Sequence, residues 1–188
     1  KCLEDGGMTS IEPIMYEGKE IIPVHRLDRN TRGILLFAKN AAAEKALTDG
    51  FRARAFEKYY RARVYGVPAK QRACLTAYLV KDAARGFVKI YDEKVPGGAE
   101  IRTEYELERD NGDGTSTLLV RLHTGKTHQI RAHLAHIGHF IVGDGKYGKA
   151  EINRRYGEKS QVLAAVRLVL HFPPDSPLSQ YEGKEFKL

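Results

Sequence analysis

Apolar positions in this chain recur mainly at a spacing of two, the pattern of strands with one buried face. Ile101, Thr103, Tyr105 and Leu107 alternate with Arg102, Glu104, Glu106 and Glu108, and beyond the turn-rich stretch from Asp110 to Gly114 the alternation resumes at Leu118, Val120 and Leu122. This predicts an antiparallel hairpin. The same period runs through Lys58 to Gly66, where Tyr60, Ala62 and Val64 interleave with Arg61, Arg63 and Tyr65. It returns from Leu163 to Phe172, where Val166, Leu168, Leu170 and Phe172 interleave with Arg167, Val169 and His171. Two shorter runs, Ile21 to Val24 and Ile34 to Ala38, read as strands rich in β-branched and aliphatic residues.

Helical spacing appears twice. Asn40 stands as an N-cap before Ala43, Leu47 and Phe51, predicting a helix that ends before Glu57. Thr127 stands as a cap before Ile130, Leu134 and Ile137, predicting a helix that ends near Gly138. Elsewhere the pattern is weaker. Lys1 to Gly18 reads as loosely structured with one short strand, and Pro68 to Gly98 as a peripheral meander with a strand from Phe87 to Asp92. Lys149 to Lys159 reads as an exposed basic connection before the last strand, and a Pro-rich tail runs from Pro173 to Leu188. Together these elements predict a single α+β domain over residues 1–188, a mixed and largely antiparallel sheet bearing a few helices.

Charge narrows the choice of partner. The chain has 188 residues, with 31 Lys and Arg against 24 Asp and Glu and a formal net charge of +7, a bias toward polyanions such as nucleic acid. Cys2 and Cys74 are too few for a disulfide framework and form no CxxC pair, so a reducing, cytoplasmic setting is expected. No apolar run has the length of a membrane-spanning helix.

One carboxylate stands out. Asp28 lies between the two short apolar runs, flanked by His25, Arg26, Arg29 and Arg32, a setting that favours the ionised acid. An isolated Asp at such a place is more often a turn former. The string His25-Arg26-Leu27-Asp28-x-x-Thr31-x-Gly33, however, resembles the signature of the RluA-type family of pseudouridine synthases, with Arg32 where that family usually has Ser. The string Lys58-x-Tyr60-x-Ala62 followed by Gly66 resembles its second motif. Thr124-Gly125-Lys126-Thr127-His128-Gln129-Ile130-Arg131, continuing to Gly148, is similar to its third, with Lys126 where Arg is more usual and Phe140 where Pro is common. Three motifs in order are far more specific than any one of them.

The resemblance implies a cofactor-free isomerisation of uridine to pseudouridine in structured RNA, in a cleft across the sheet. It implies Asp28 as the catalytic residue, Tyr60 lining the uridine pocket, and Arg131 as the ion-pair partner of Asp28. Arg26 matches a position that can fill the vacated base stack, with a phosphate contact or a plain surface arginine as the alternatives, and Arg29, Lys126 and His128 are expected RNA contacts. A monomer acting on ribosomal RNA in preference to transfer RNA is expected. Family members also carry an upstream strand with a Lys-Pro-x-Gly element and often a small S4-type RNA-binding domain; neither is visible in Lys1 to Val24, so N-terminal sequence is expected to be missing here. Two rivals remain. One is an RNA-binding module that keeps the scaffold without the chemistry, and the other is a metal hydrolase built on His123, His128, His133, His136 and His139. Zinc needs ligands that converge on one point, and histidines spread around a helix among Arg121, Lys126 and Arg131 suit it poorly, so no metal is expected.

Overall fold

The computed structural model describes residues 14–188, so Cys2 and most of the stretch expected to be loosely structured lie outside the described residues. A three-stranded sheet, in the order β1-β2-β4, is built from β1 (Ile14–Tyr16), β2 (Lys19–Pro23) and β4 (Phe37–Ala38). The larger sheet contains β3 (Arg32–Gly33), β5 (Glu57–Tyr65), β6 (Arg72–Asp82), β7 (Phe87–Tyr91), β8 (Ala99–Asp110), β9 (Thr115–Leu122), β10 (Leu163–Val169) and β11 (Glu185–Lys187). Its order is β11-β10-β5-β9-β8-β6-β7 with every neighbour antiparallel, and β3 joins β10 in parallel. With α1 (Ala41–Arg52), α2 (Gln129–His136) and α3 (Ala150–Arg155), the fold is the expected α+β with a largely antiparallel sheet.

Local chemistry accounts for much of this. The hairpin of β8 and β9 forms as the alternation required, with Tyr105 opposite Val120 and both buried. Asn40 caps α1 by accepting from the Ala43 N–H at 2.8 Å, satisfying one of the helix's unpaired first-turn donors. α2 starts differently. Its N-cap is His128, in the left-handed region at φ 52° and without a side-chain cap, so Thr127 does not cap it. Gln129 holds the turn instead: its Oε1 accepts from the Lys126 N–H and the Thr124 hydroxyl, and its Nε2 donates to Thr103 Oγ1 and the Arg102 carbonyl.

Four other features correct or extend the expectations. Arg72–Asp82 is an eleven-residue strand inside the sheet rather than part of a peripheral meander. The connection from Lys149 to Lys159 is largely exposed as expected but also carries α3, whose buried Asn153 accepts from the Gly143 N–H and donates to the Asp144 carbonyl. The tail supplies β11, which closes the sheet edge on β10. The expected alternation of Val166, Leu168, Leu170 and Phe172 with Arg167, Val169 and His171 is present, and a β-bulge between Ala165 and Arg167 shifts it out of phase with the buried Leu163 and Ala165 before it.

That shift lets one strand serve two cores. Leu163 packs with Ala62, Val64, Leu118, Val120 and the α2 residues Ile130 and Leu134. Leu168 and Leu170 pack with Leu47 of α1, Phe56 and Phe172. Between the two clusters the loop carrying Asp28 is tied down from three sides. The Leu36 N–H donates to His25 Nε2 at 2.9 Å, Gln161 Nε2 donates to the Arg29 carbonyl, and the Ile34 N–H donates to the Ala165 carbonyl at 2.9 Å. Gly33 makes the last tie possible. At φ 116°, any Cβ there would sit 2.1 Å from the Ala165 oxygen. Gly33→Ala is therefore expected to destabilise the protein by about 3 kcal/mol through backbone strain and displacement. Urea denaturation of the variant beside wild type measures this, and an unchanged midpoint would show that β3 does not hold the loop.

Candidate active site

A cavity of about 470 Å³ opens where the two core clusters meet. Its walls come from the loop carrying Arg26, Asp28 and Thr31, the end of α1, Lys58 and Tyr60 on β5, and Lys126, Gln129 and Ile130 at the start of α2. Asp28 enters on a tight turn closed by the Thr31 N–H donating to the Asp28 carbonyl at 2.9 Å, with Asn30 left-handed at φ 67°. The expected catalytic residues are thus brought together: Asp28 and Tyr60 face the cavity, and Arg131 lies behind Asp28.

Arg131 meets Asp28 as expected, but a second carboxylate holds it more tightly. Its Nε and Nη2 donate to the two oxygens of Asp144 at 2.7 and 3.0 Å, a bidentate pair, while Nη1 lies 3.6 Å from an Asp28 oxygen. Asp144 also accepts from the N–H groups of Lys146 and Tyr147 at 2.8 and 3.0 Å. Burial alone would push the Asp144 carboxyl up, but the hydrogen bonds and charge of Arg131, with the two N–H donors, hold it below the usual carboxylate range. Burial likewise opposes the charge on Arg131, and Asp144, then Asp28, restore it. The Tyr147 ring covers one face of the guanidinium at 5.3 Å, and its hydroxyl is held by the Val88 N–H and His128 Nδ1. One planar cation therefore spans a buried carboxylate on one side and the cavity carboxylate on the other.

This corrects two readings. Asp144, given no role from sequence, is the residue that fixes Arg131; its signal was the Gly143-Asp144-x-x-Tyr147 string. His128, expected to contact RNA, is 3% exposed and positions Tyr147 from inside the fold. Arg26, Arg29 and Lys126 are exposed, and of these Arg26 and Lys126 line the cavity. The histidines of the third block have separate partners: His123 meets Glu104, His133 meets Thr103, His136 meets Asp92 and His139 meets the Tyr65 carbonyl. Among the described residues no three His, Cys, Asp or Glu side chains converge to hold a metal ion.

Tyr60 is pushed up to about 12, first by burial and then by the charge of Asp28, so its phenol stays protonated at neutral pH. His25 is lowered to about 4 by burial and by Lys58, in keeping with a neutral ring whose Nε2 accepts from Leu36.

The fold is shared with solved pseudouridylate synthase domains. Human RNA pseudouridylate synthase domain containing 1 superposes with a TM-score of 0.75 at 26% identity, over 89% of this chain and 68% of that one. The family model described as RNA pseudouridylate synthase matches residues 14–136. An uncharacterised RNA pseudouridine synthase of Chloroflexus aurantiacus is 41% identical over 138 residues, 72% of this chain and 42% of that protein. Ribosomal large subunit pseudouridine synthase C of Vibrio cholerae is 31% identical over 169 residues, 90% of this chain and 51% of that protein. The dual-specificity RNA pseudouridine synthase RluA of Escherichia coli is 35% identical over 79% of this chain and 63% of that protein. This chain thus belongs to the RNA pseudouridylate synthase family, within its RluA type, and spans less than two-thirds of the length of each of these three relatives.

Two outcomes follow from the charges. Asp144→Asn leaves Arg131 buried without its bidentate partner and is expected to cost about 3–5 kcal/mol. Asp28→Asn, whose side chain is 24% exposed and which lies beyond hydrogen-bond range of Arg131, is expected to cost under about 1 kcal/mol. Urea midpoints of the two variants test the contrast, and equal losses would contradict it. His133 is buried and lowered from 6.5 to about 4 by burial and by His136. Its unfolded form binds a proton before its folded form, so its contribution is complete above pH 6.5 and falls as the pH drops toward 4. By about pH 5 this removes about 2 kcal/mol, at about 1.4 kcal/mol per pH unit. A urea midpoint that stays flat from pH 7 to about 5 would contradict a neutral buried His133.

Proposed function

We propose that this chain isomerises uridine to pseudouridine in structured RNA, with Asp28 as the catalytic residue, and that ribosomal RNA is its substrate. The carrying observation is the cavity carboxylate set beside a guanidinium that is itself anchored elsewhere. Because Asp144 takes both strong hydrogen bonds of Arg131, Asp28 feels a neighbouring cation without being tied by it. Such a carboxylate is free to act on the ribose, whether by attack at C1′ or by taking a proton from the sugar.

The reaction balances within the substrate and water. The N1–C1′ bond breaks, the uracil turns, a C5–C1′ bond forms, the C5 proton leaves to solvent and N1 gains a proton. No oxidant, reductant or metal is called for. Tyr60, held as a neutral phenol, offers a ring to pack on the base and an O–H to donate. In a helix the base face and C1′ are hidden, so the target must be everted, at a cost of a few kcal/mol. Arg26, exposed at the cavity mouth, is placed to fill the gap, while Arg29 and Lys126 contact the backbone.

A ribosomal substrate is supported by the name of the Vibrio cholerae relative, which aligns along 90% of the chain. The Escherichia coli relative, whose name gives dual specificity, keeps transfer RNA as the comparison substrate.

The deciding experiment is tritium release from RNA labelled at uridine C5, with wild type and Asp28→Ala on bulk ribosomal and transfer RNA. Wild type is expected to release tritium from ribosomal RNA, and the variant to lose at least about a thousandfold in rate, as loss of a residue essential to the chemistry does. Equal release by both proteins would remove Asp28 from the chemistry. RNA binding without release by either would favour the scaffold as a binding module.

A further inference from the structure

The cavity carries more positive charge than the chemistry uses. Arg26, Arg52, Arg54, Lys58 and Lys126 line it, and among the described residues the one carboxylate on its walls is Asp28, which already faces Arg131. A second cleft, on the Arg61 and Arg63 side of β5, is balanced differently. There Arg61 pairs with Glu108 at 2.6 Å, and Arg63 with Asp113 at 2.7 Å and Glu158 at 3.5 Å.

Lys58 is the sharpest case. It is partly buried beside Tyr60 on β5, yet among the described residues no carboxylate lies within ion-pair distance of it. Its Nζ rests against the backbone turn before α2, where a Cβ built on Gly125 would be 3.2 Å away. Burial lowers its proton affinity, and the charge of Arg54 lowers it further. A partly buried Lys58 and an exposed Arg54 that disfavour each other on the lining of one cavity are an arrangement that a bound anion relieves.

Arg54 carries a second anomaly. It sits at the end of α1 in the left-handed region, φ 58°, the position where helices most often end in Gly. For a residue with a side chain this costs roughly 1 kcal/mol. The turn around it is firmly made: the Ala53 N–H donates to the Asp49 carbonyl at 2.8 Å and the Ala55 N–H to the Gly50 carbonyl at 3.0 Å. Behind it the Phe56 ring fills the space of an absent side chain, 2.2 Å from where a Cβ on Gly50 would lie. The helix dipole favours cations at this end and accounts for Arg52, but Lys58 belongs to a strand.

We propose that Arg54 and Lys58 form a seat for one RNA backbone phosphate, flanking the everted uridine on the α1 side of the cavity. The proposal rests on the RNA reading above. A phosphodiester matches what the seat lacks: one negative charge, spread over two oxygens, that the guanidinium and the ammonium reach together.

The test measures equilibrium binding of bulk ribosomal and transfer RNA over a series of salt concentrations. It compares wild type, Arg54→Gly, Lys58→Met, the double variant, and Lys89→Met, which removes one exposed cation from β7 at the far edge of the sheet. Each seat variant is expected to bind roughly tenfold more weakly than Lys89→Met. The double variant is expected to lower the slope of log affinity against log salt by about one, the count for one phosphate. Arg54→Gly relieves the backbone strain, so its melting temperature is expected to match or exceed that of wild type while its affinity falls. A purely structural Arg54 predicts the opposite, a lower melting temperature with unchanged affinity, and that result overturns the seat. Seat variants that bind like Lys89→Met, while wild type binds RNA and releases tritium, also overturn it and leave the isomerase standing. Wild type that neither binds RNA nor releases tritium overturns both.

Discussion

A guanidinium buried between two carboxylates constrains everything built around it. Three ionisable groups within one wall are tolerable only if the innermost is fully hydrogen-bonded, because an uncompensated charge in a protein interior costs several kcal/mol. Asp144 meets that condition with four donors, two from Arg131 and two from the backbone that follows it. The turn after Asp144, the Tyr147 hydroxyl and the left-handed His128 all serve to hold that geometry. Asp28 is left facing a cation that it does not have to anchor.

The sheet explains what holds this wall in place. β5 runs between β9 and β10, so Tyr60 is fixed by ladders on both sides, opposite Val120 on one and Ala165 on the other. α2 lies across the buried residues of β5 and β9, which sets where Arg131 emerges. The cavity occupies the seam between this core and the one under α1, so its two walls belong to different clusters. The bulge in β10 is what allows a single strand to cross that seam.

Sequence disclosed the parts governed by short-range rules. The hairpin of β8 and β9 and the Asn40 cap depend on neighbours within a few residues, and both formed as expected. Asp28, Tyr60 and Arg131 were found through motif resemblance, and the fold gathers them around one site. What failed depended on distant contacts or on local exceptions. The strand β6 was hidden because Ala77, Tyr78, Leu79 and Val80 are all apolar, which erases the alternation that marks a half-buried strand. Asp144 was hidden because it sits in a Gly-Asp-Gly stretch that reads as a turn, thirteen residues from its partner. The start of α2 was misread because a glutamine side chain from inside the helix does the work of a cap.

The ties on the Asp28 loop also bear on how the protein is made. Gln161 reaches the Arg29 carbonyl across 132 residues of sequence, and Gly33 meets Ala165 on a strand near the other end of the chain. Contacts of such separation form late, because the loop entropy they close is offset only once intervening structure exists. During synthesis the segment holding Asp28 leaves the ribosome well before β10 does. The chain therefore spends that interval with the cavity carboxylate on an unsupported loop, and the cavity is complete only when β10 locks against it.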